Sequence, residues 1–122
     1  MSRQREWAAK AHEAVLKFKD SNDTAKLRTL CMKTPGIIHQ SGLAQALVFL
    51  QSRETEIGQK FVTELAKVYG KDAAALQKQA LEEKDLNRYM ALTADISDVA
   101  AWFRRFAQIE LKGDDGEGDD YE

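Results

Sequence analysis

Apolar residues at helical spacing recur along almost the whole chain, and this periodicity restricts the possible folds more than any other feature. Near the N-terminus they fall at Trp7, Ala11, Ala14 and Phe18, which form one face of a helix from about 3 to 19. The 122 residues include a single proline, and no alternation of β-branched and polar residues favours strands. The sequence therefore predicts an all-α protein, a compact bundle of five or six helices.

Capping residues predict where the later helices begin and end. Asp23 can cap a second helix over about 24–32, and Thr34 can cap a third over about 35–51, with Pro35 at the first helical position. Three further boundaries follow in chain order: a fourth helix capped by Ser52 and ended by Gly70, a short helix over about 72–82, and a long last helix from Asp85 to about Leu111.

The predicted third helix contains the most apolar stretch, because residues 43–50 include one polar residue in eight. A helix that is apolar on all sides is normally enclosed by others. A glycine inside a helix costs about 1 kcal/mol relative to alanine, so Gly42 suggests close approach of a neighbouring helix. We therefore expect the core to include residues of this helix, namely Gly42, Leu43, Leu47 and Phe49.

The last helix carries two apolar stripes where an ordinary surface helix needs one. The second stripe includes Trp102 and Phe106, which we also assign to the core. Two explanations remain open for the width of this apolar surface: the second stripe packs on another helix of the same bundle, or it contacts another protein.

Charge divides the chain into two parts. Residues 113–122, GDDGEGDDYE, contain six acidic residues and no basic one, whereas residues 1–112 carry 18 basic and 14 acidic residues, a formal charge of +4. We expect a helical bundle domain over 1–112 and a disordered acidic tail over 113–122, because such a composition buries too little apolar surface to fold. The tail either aids solubility or shields a basic surface in competition with a polyanion.

The remaining composition predicts a cytoplasmic protein without a membrane partner. A single cysteine, Cys31, excludes an internal disulfide framework and fits a reducing compartment. The N-terminal residues are charged and do not resemble a signal peptide, and no apolar run approaches the roughly 20 residues of a membrane span.

The sequence contains no recognisable catalytic motif, metal-ligand spacing or cofactor loop, so we predict no catalytic residue, metal or cofactor. One weak alternative is the Arg-x6-His spacing of Arg5 and His12, which loosely resembles the motif of helical ribonucleases in which a histidine acts as acid or base. A protein–protein adaptor without a nucleic-acid role is the other alternative.

Two longer segments resemble one family of binding proteins. KTPGIIHQSGLAQALVFL, residues 33–50, contains a proline that opens a helix, followed by Ile, Gln, Gly-Leu-x-Gln and an aromatic residue. YMALTADISDVAAWFRRFA, residues 89–107, is similar to a closing helix of the form Tyr-x-x-Leu-Thr…Trp-x-x-Arg-x-Ala. In this order and spacing they resemble the small helical subunit of the type III-B CRISPR Cmr complex, a RAMP module of antiviral defence. His39 departs from the basic residue frequent in the family, and the acidic tail is not part of the pattern.

This resemblance implies a non-catalytic subunit of an RNA-guided complex. Its partners would be backbone RAMP subunits that hold the guide RNA, a large subunit, and further copies of itself stacked along the filament. It would contribute a basic surface for target RNA or for the guide–target duplex, and the residues we assign to that surface are Lys33, Gln40, Arg53, Arg88, Arg104 and Arg105.

Overall fold

The structure is a computed structural model that describes residues 2–53 and 55–112. Over these residues the chain forms helices without a strand, so the predicted all-α class is confirmed. In chain order they are α1 (Arg3–Lys19), α2 (Thr24–Ser41), α3 (Leu43–Arg53), α4 (Thr55–Tyr69), α5 (Ala73–Glu82) and α6 (Leu86–Glu110). The predicted disordered tail over 113–122 lies outside the described residues.

Side-chain caps fix two helix starts, those of α5 and α6, where the sequence predicts them. The carboxylate of Asp72 accepts a hydrogen bond from the Ala75 amide at 2.7 Å, and that of Asp85 accepts one from the Arg88 amide at 3.1 Å. Each bond satisfies an amide of the first turn that has no partner inside its helix. The predicted end of α4 at Gly70 is also confirmed, since Gly70 takes a φ of 105° directly after the helix.

The predicted boundary between the second and third helices is wrong. Helix α2 continues through Pro35 and ends at Ser41, seven residues beyond the predicted cap at Thr34. Proline inside a helix costs about 3 kcal/mol through a lost hydrogen bond and a steric clash. Burial outweighs this cost, because α2 places residues before and after the proline in the core: Leu27, Cys31, Thr34 and Ile38.

The chain instead turns at Gly42, which separates α2 from α3 with φ 83° and ψ 160°. This backbone conformation is essentially restricted to glycine. The prediction that Gly42 lies inside a helix at a close crossing is therefore wrong. The close crossing occurs at Gly58, where an added Cβ would overlap the carbonyl oxygen of Leu50 on α3.

Three aromatic rings from α1, α4 and α6 meet in the core. The ring centroids of Phe18, Phe61 and Phe103 lie 5.6–6.3 Å apart, and all three side chains are fully buried. Leu43 and Leu47 of α3 are fully buried as well. Phe49, which we assigned to the core, is 38% exposed, because the turn at Gly42 gives α3 one buried face and one outer face.

The second stripe of α6 packs mostly within the bundle. Trp102 Nε1 donates a hydrogen bond to Gln4 Oε1 at 2.8 Å, and the Phe106 ring stacks on His12 with centroids 4.5 Å apart. Trp102 and Phe106 are half-buried against the core. Ile109, three residues after Phe106, is exposed. Among the described helices, none is both long and apolar enough to cross a membrane.

Candidate nucleic-acid interface

A shallow groove of about 120 Å³ runs between α2 and α3, and we call it the α2–α3 groove. Its lining combines basic and apolar side chains. The described residues that line it are Lys26, Thr29, Leu30, Lys33, Ile37, Phe49 and Arg53.

The unbroken path of α2 brings one wall of the groove together. Lys33 lies seven residues after Lys26, and Ile37 lies eleven residues after Lys26. These spacings place all three on one face of an α-helix. A helix that stopped before Pro35 would separate Ile37 from the two lysines. The proline-containing middle of α2 is therefore what gives this wall its length.

The other wall consists of neighbouring turns of α3. Phe49 and Arg53 are four residues apart, and the guanidinium carbon of Arg53 lies 5.6 Å from the centroid of the Phe49 ring. A cation over an aromatic face is attracted by the negative face of the ring. The pair therefore presents a flat apolar surface and a positive charge at the same edge of the groove.

The charge of the α2–α3 groove differs from that of a second groove between α1 and α4. The second groove carries Lys10, Lys17 and Lys67 together with Glu13 and Glu64, and Lys17 Nζ lies 3.2 Å from Glu64 Oε1. Among the described residues that line the α2–α3 groove, three are basic and none is acidic. This groove is therefore the stronger candidate for binding an anion.

The six residues assigned to RNA binding occupy several parts of the surface. Lys33 and Arg53 lie in the α2–α3 groove. Gln40 is exposed in the last turn of α2, and Arg88 is exposed in the first turn of α6. The structure therefore brings Lys33 and Arg53 together in one groove, which neither Gln40 nor Arg88 lines.

Arg104 and Arg105 project from different sides of α6. Arg104 is half-buried, and its Nη1 donates to the carbonyl oxygen of Met32 on α2 at 3.4 Å. Arg105 is exposed, with its guanidinium carbon 5.3 Å from the Trp102 ring centroid on the side that faces α1. These adjacent arginines do not form one basic surface, and neither lines the α2–α3 groove.

Sequence reasoning assigned two of the seven described lining residues to an RNA surface, and among the five that it missed are a basic residue, Lys26, and an aromatic one, Phe49. The seven-residue spacing of Lys26 and Lys33 was available as a signal, but the predicted helix break after Met32 placed the lysines near a helix end. Phe49 was assigned to the core because the residues around it are apolar. Its exposure depends on the direction in which α3 leaves the turn at Gly42, which is a tertiary feature.

Arg5 and His12 do not form a shared site. His12 Nε2 lies 2.8 Å from Glu110 Oε2, and this hydrogen bond is the main cause that lowers the pKa of Glu110 below its ordinary value, with a further contribution from Lys19. Arg5 is exposed two helical turns away, about 10 Å along the axis. Among the described residues, no group of three His, Cys, Asp or Glu side chains is arranged to hold a metal ion.

Known proteins are similar to this chain in both sequence and fold. The family described as "CRISPR-associated protein (Cas_Cmr5)" matches residues 3–110. The Thermus thermophilus protein named "CRISPR system Cmr subunit Cmr5" is 35% identical over 111 residues, which cover 91% of this chain and 97% of the relative. The crystal structure of a CRISPR-associated Cmr5 family protein from Thermus thermophilus superposes with a TM-score of 0.87 at 34% identity, covering 92% of this chain and 99% of that one.

Proposed function

We propose a function from the premise that this chain belongs to the Cmr5 family of CRISPR-associated proteins, which its match over residues 3–110 establishes. It serves as the small, non-catalytic subunit of a Cmr complex in the cytoplasm, where it stacks with copies of itself beside the subunits that carry the guide RNA. Its α2–α3 groove provides a basic surface for the target RNA, alone or paired with the guide.

The observation that carries the RNA-binding part is the composition of the α2–α3 groove. Lys26, Lys33 and Arg53 can each neutralise a phosphate, and each neutralised phosphate releases condensed counterions. The exposed ring of Phe49 adds a surface on which an unpaired base can stack. Because these contacts read phosphate charge and ring faces, binding through them is largely independent of nucleotide sequence.

The assembly part is supported by apolar side chains at one end of the bundle. Leu86 and Met90 at the start of α6 and Leu81 at the end of α5 are 58–67% exposed. Apolar side chains that cluster at the surface commonly mark a contact with another protein. We assign this end of the bundle to contact with a neighbouring subunit.

The test compares two double charge reversals that change the net charge equally. Lys33→Glu with Arg53→Glu alters the α2–α3 groove, whereas Lys10→Glu with Lys67→Glu alters the α1–α4 groove, and all four side chains are exposed. Each variant is reconstituted into the complex, and its affinity for labelled target RNA is measured across a salt series.

We expect the α2–α3 variant alone to weaken capture of target RNA. Because this variant no longer neutralises two of the phosphates, the slope of log K against log salt should become shallower by about 1.4, at about 0.7 for each phosphate of a single strand. Equal affinities and slopes for the two variants would show that the effect depends on net charge and would contradict the assignment of the RNA site to this groove.

A further inference from the structure

We propose that the acidic C-terminal segment, residues 113–122, binds in the α2–α3 groove of its own chain and competes there with RNA. The proposal concerns the regulation of the groove described above. The competition with RNA rests on the proposed function. The binding of the segment to the groove does not, because it is measurable without RNA.

Charge complementarity is the first reason. The segment carries six acidic side chains and no basic one, and the described lining of the groove carries three basic side chains and no acidic one. Carboxylates and phosphates are attracted by the same ammonium and guanidinium groups. The segment also lies beyond the match to the family, which ends at residue 110.

The position of the last buried residue is the second reason. Leu111 is buried, and its carbonyl oxygen accepts a hydrogen bond from Arg28 Nε at 2.9 Å. Arg28 belongs to the same turn of α2 as Lys26 and Thr29, which line the groove. The acidic segment therefore begins beside the helix that forms one wall of the groove.

The distance from this starting point to the groove is within the reach of ten residues. Lys33 lies about 140° around α2 from Arg28, which is about 13 Å over the surface of a helix 10–12 Å in diameter, and about 8 Å further along its axis. On the intervening arc Met32, close to Arg28, is buried, whereas Thr29 and Gly36, closer to Lys33, are exposed, and no heavy atom lies within 4 Å of a Cβ built on Gly36. A ten-residue chain spans up to about 33 Å when extended, and about 17 Å on average when it is flexible.

The consequence for RNA follows from occupancy. A segment attached to the same chain acts at an effective concentration of the order of millimolar, so weak contacts are sufficient to fill the groove part of the time. RNA then binds only the open fraction, and its apparent Kd rises by the inverse of that fraction. A segment bound in half of the molecules weakens RNA binding about twofold, and one bound in nine-tenths weakens it about tenfold.

The docking is tested by NMR on the isotope-labelled full chain and on a chain that ends at Lys112. We expect the backbone amide signals of Lys26, Lys33, Ile37 and Phe49 to differ between the two at low salt. The differences should disappear near 1 M salt, where the screening length falls to about 3 Å. Identical signals in the groove at low salt would overturn the proposal.

Three variants of the full chain separate docking from a general effect of charge. In the first, the six acidic residues of the segment become amides: Asp114→Asn, Asp115→Asn, Glu117→Gln, Asp119→Asn, Asp120→Asn and Glu122→Gln. It should give groove signals like those of the shortened chain, and in the Lys33→Glu, Arg53→Glu background the signals of Ile37 and Phe49 should be the same with and without residues 113–122. Lys10→Glu with Lys67→Glu should retain the docked signals. Signal differences that grow with protein concentration would show binding to a neighbouring copy and would overturn the assignment to the same chain.

RNA binding then distinguishes failure of this proposal from failure of the proposed function. The fractional occupancy measured by NMR predicts the gain in RNA affinity on shortening the chain, and that gain should be absent from the Lys33→Glu, Arg53→Glu variant. Docking without any effect on RNA affinity would contradict RNA binding in this groove. A loss of RNA affinity in the groove variant, with no docking of the segment, would contradict the present proposal alone.

Discussion

The hydroxyl oxygen of Tyr89 accepts a hydrogen bond from the backbone amide of Ala44 at 3.1 Å, which ties the start of α3 to α6. The Ala44 amide belongs to the first turn of α3 and has no partner inside that helix. Tyr89 therefore caps α3 from a different helix. It also joins the two sequence segments that resemble the family, since Ala44 lies in residues 33–50 and Tyr89 begins residues 89–107.

Tyr89→Phe should lower the free energy of unfolding by about 1 kcal/mol, because the part-buried Ala44 amide loses its acceptor. Urea unfolding measures this difference. Tyr69→Phe is the matched control. The Tyr69 hydroxyl donates a hydrogen bond to Asp95 at 3.1 Å, and without it the Asp95 carboxylate still has its ion pair with the guanidinium of Arg3 at 2.8 Å. An equal loss of stability in the two variants would argue against a special role for Tyr89.

Three glycine-to-alanine substitutions should differ in sign and cause. Gly36→Ala should stabilise the protein by about 0.5–1 kcal/mol, because Gly36 lies in a helix with open space around it. Gly42→Ala should destabilise it by about 1–3 kcal/mol through its backbone conformation, since the nearest heavy atom to the added Cβ lies at an ordinary 3.5 Å. Gly58→Ala should destabilise it by a similar amount through overpacking against the Leu50 carbonyl.

Urea unfolding of these variants also distinguishes the two places where a glycine is required. If Gly42→Ala were neutral, the helix would continue through Gly42, as the sequence predicts for residues 35–51. If Gly58→Ala were neutral, α3 and α4 would not approach as closely as the structure shows. Each outcome would contradict one specific feature of the fold.

Helix ends were predictable from sequence where short-range chemistry determines them. The carboxylates of Asp72 and Asp85 accept hydrogen bonds from backbone amides three residues later. Gly70 adopts a positive φ, which glycine takes without contacts from distant residues. The proline in α2 could not be interpreted in this way, because its cost is outweighed by burial against distant helices. The groove depends on that same misassigned helix, so sequence analysis identified Lys33 and Arg53 without showing that they line one groove.

Cys31 should be unreactive towards a thiol reagent until the protein unfolds. Its side chain is fully buried, and burial raises the pKa of the thiol far above its ordinary value, a shift that the nearby Arg28 partly opposes. Because the thiolate is the reactive form, labelling by Ellman's reagent should follow the unfolding rate in a urea series. Labelling that is rapid in the absence of urea would contradict the burial of Cys31.

The same pKa shift predicts a dependence of stability on alkaline pH. The folded chain favours the neutral thiol, so stability is present below the unfolded thiol pKa of about 8.5 and decreases as pH rises above it. Cys31→Ala lacks the ionising group, and its unfolding midpoint should therefore decrease less between about pH 8 and pH 10. Parallel curves for the two proteins would contradict this prediction.

Acid should lower the stability of the fold in part through protonation of Glu110. Its pKa is lowered mainly by the hydrogen bond with His12 and also by Lys19, whose Nζ lies 3.7 Å from Glu110 Oε1. A lowered carboxyl pKa stabilises the fold above the unfolded pKa of about 4.3, and this contribution is lost as pH falls through the folded value.

Glu110→Gln should therefore differ most from the natural chain near pH 6 and approach it towards about pH 3, as measured by urea midpoints. His12→Phe should reduce the same acid-sensitive contribution, because it removes the main partner of Glu110. His39→Phe is the control, since His39 is exposed near the end of α2. An acid dependence that changes equally in the two histidine variants would contradict the pairing of His12 with Glu110.

Substitutions of Phe49 distinguish a role of this residue in packing from a role in RNA binding. Its side chain is 38% exposed at the edge of the α2–α3 groove, with Arg53 over its ring. Phe49→Leu keeps an apolar side chain of similar size, so the free energy of unfolding should change by less than about 1.5 kcal/mol. Loss of one base stacked on an aromatic ring weakens RNA binding by about 1–3 kcal/mol, or about 5- to 150-fold.

The comparison with Phe49→Tyr makes this prediction specific to the ring. Tyrosine keeps an aromatic face, so the reconstituted complex with Phe49→Tyr should retain its affinity for target RNA, whereas the complex with Phe49→Leu should lose affinity at every salt concentration. The loss should leave the slope of log K against log salt unchanged, because Phe49 neutralises no phosphate. Equal affinities for the leucine and tyrosine variants would show that no base stacks on this ring, and RNA binding by the groove would then depend on Lys26, Lys33 and Arg53.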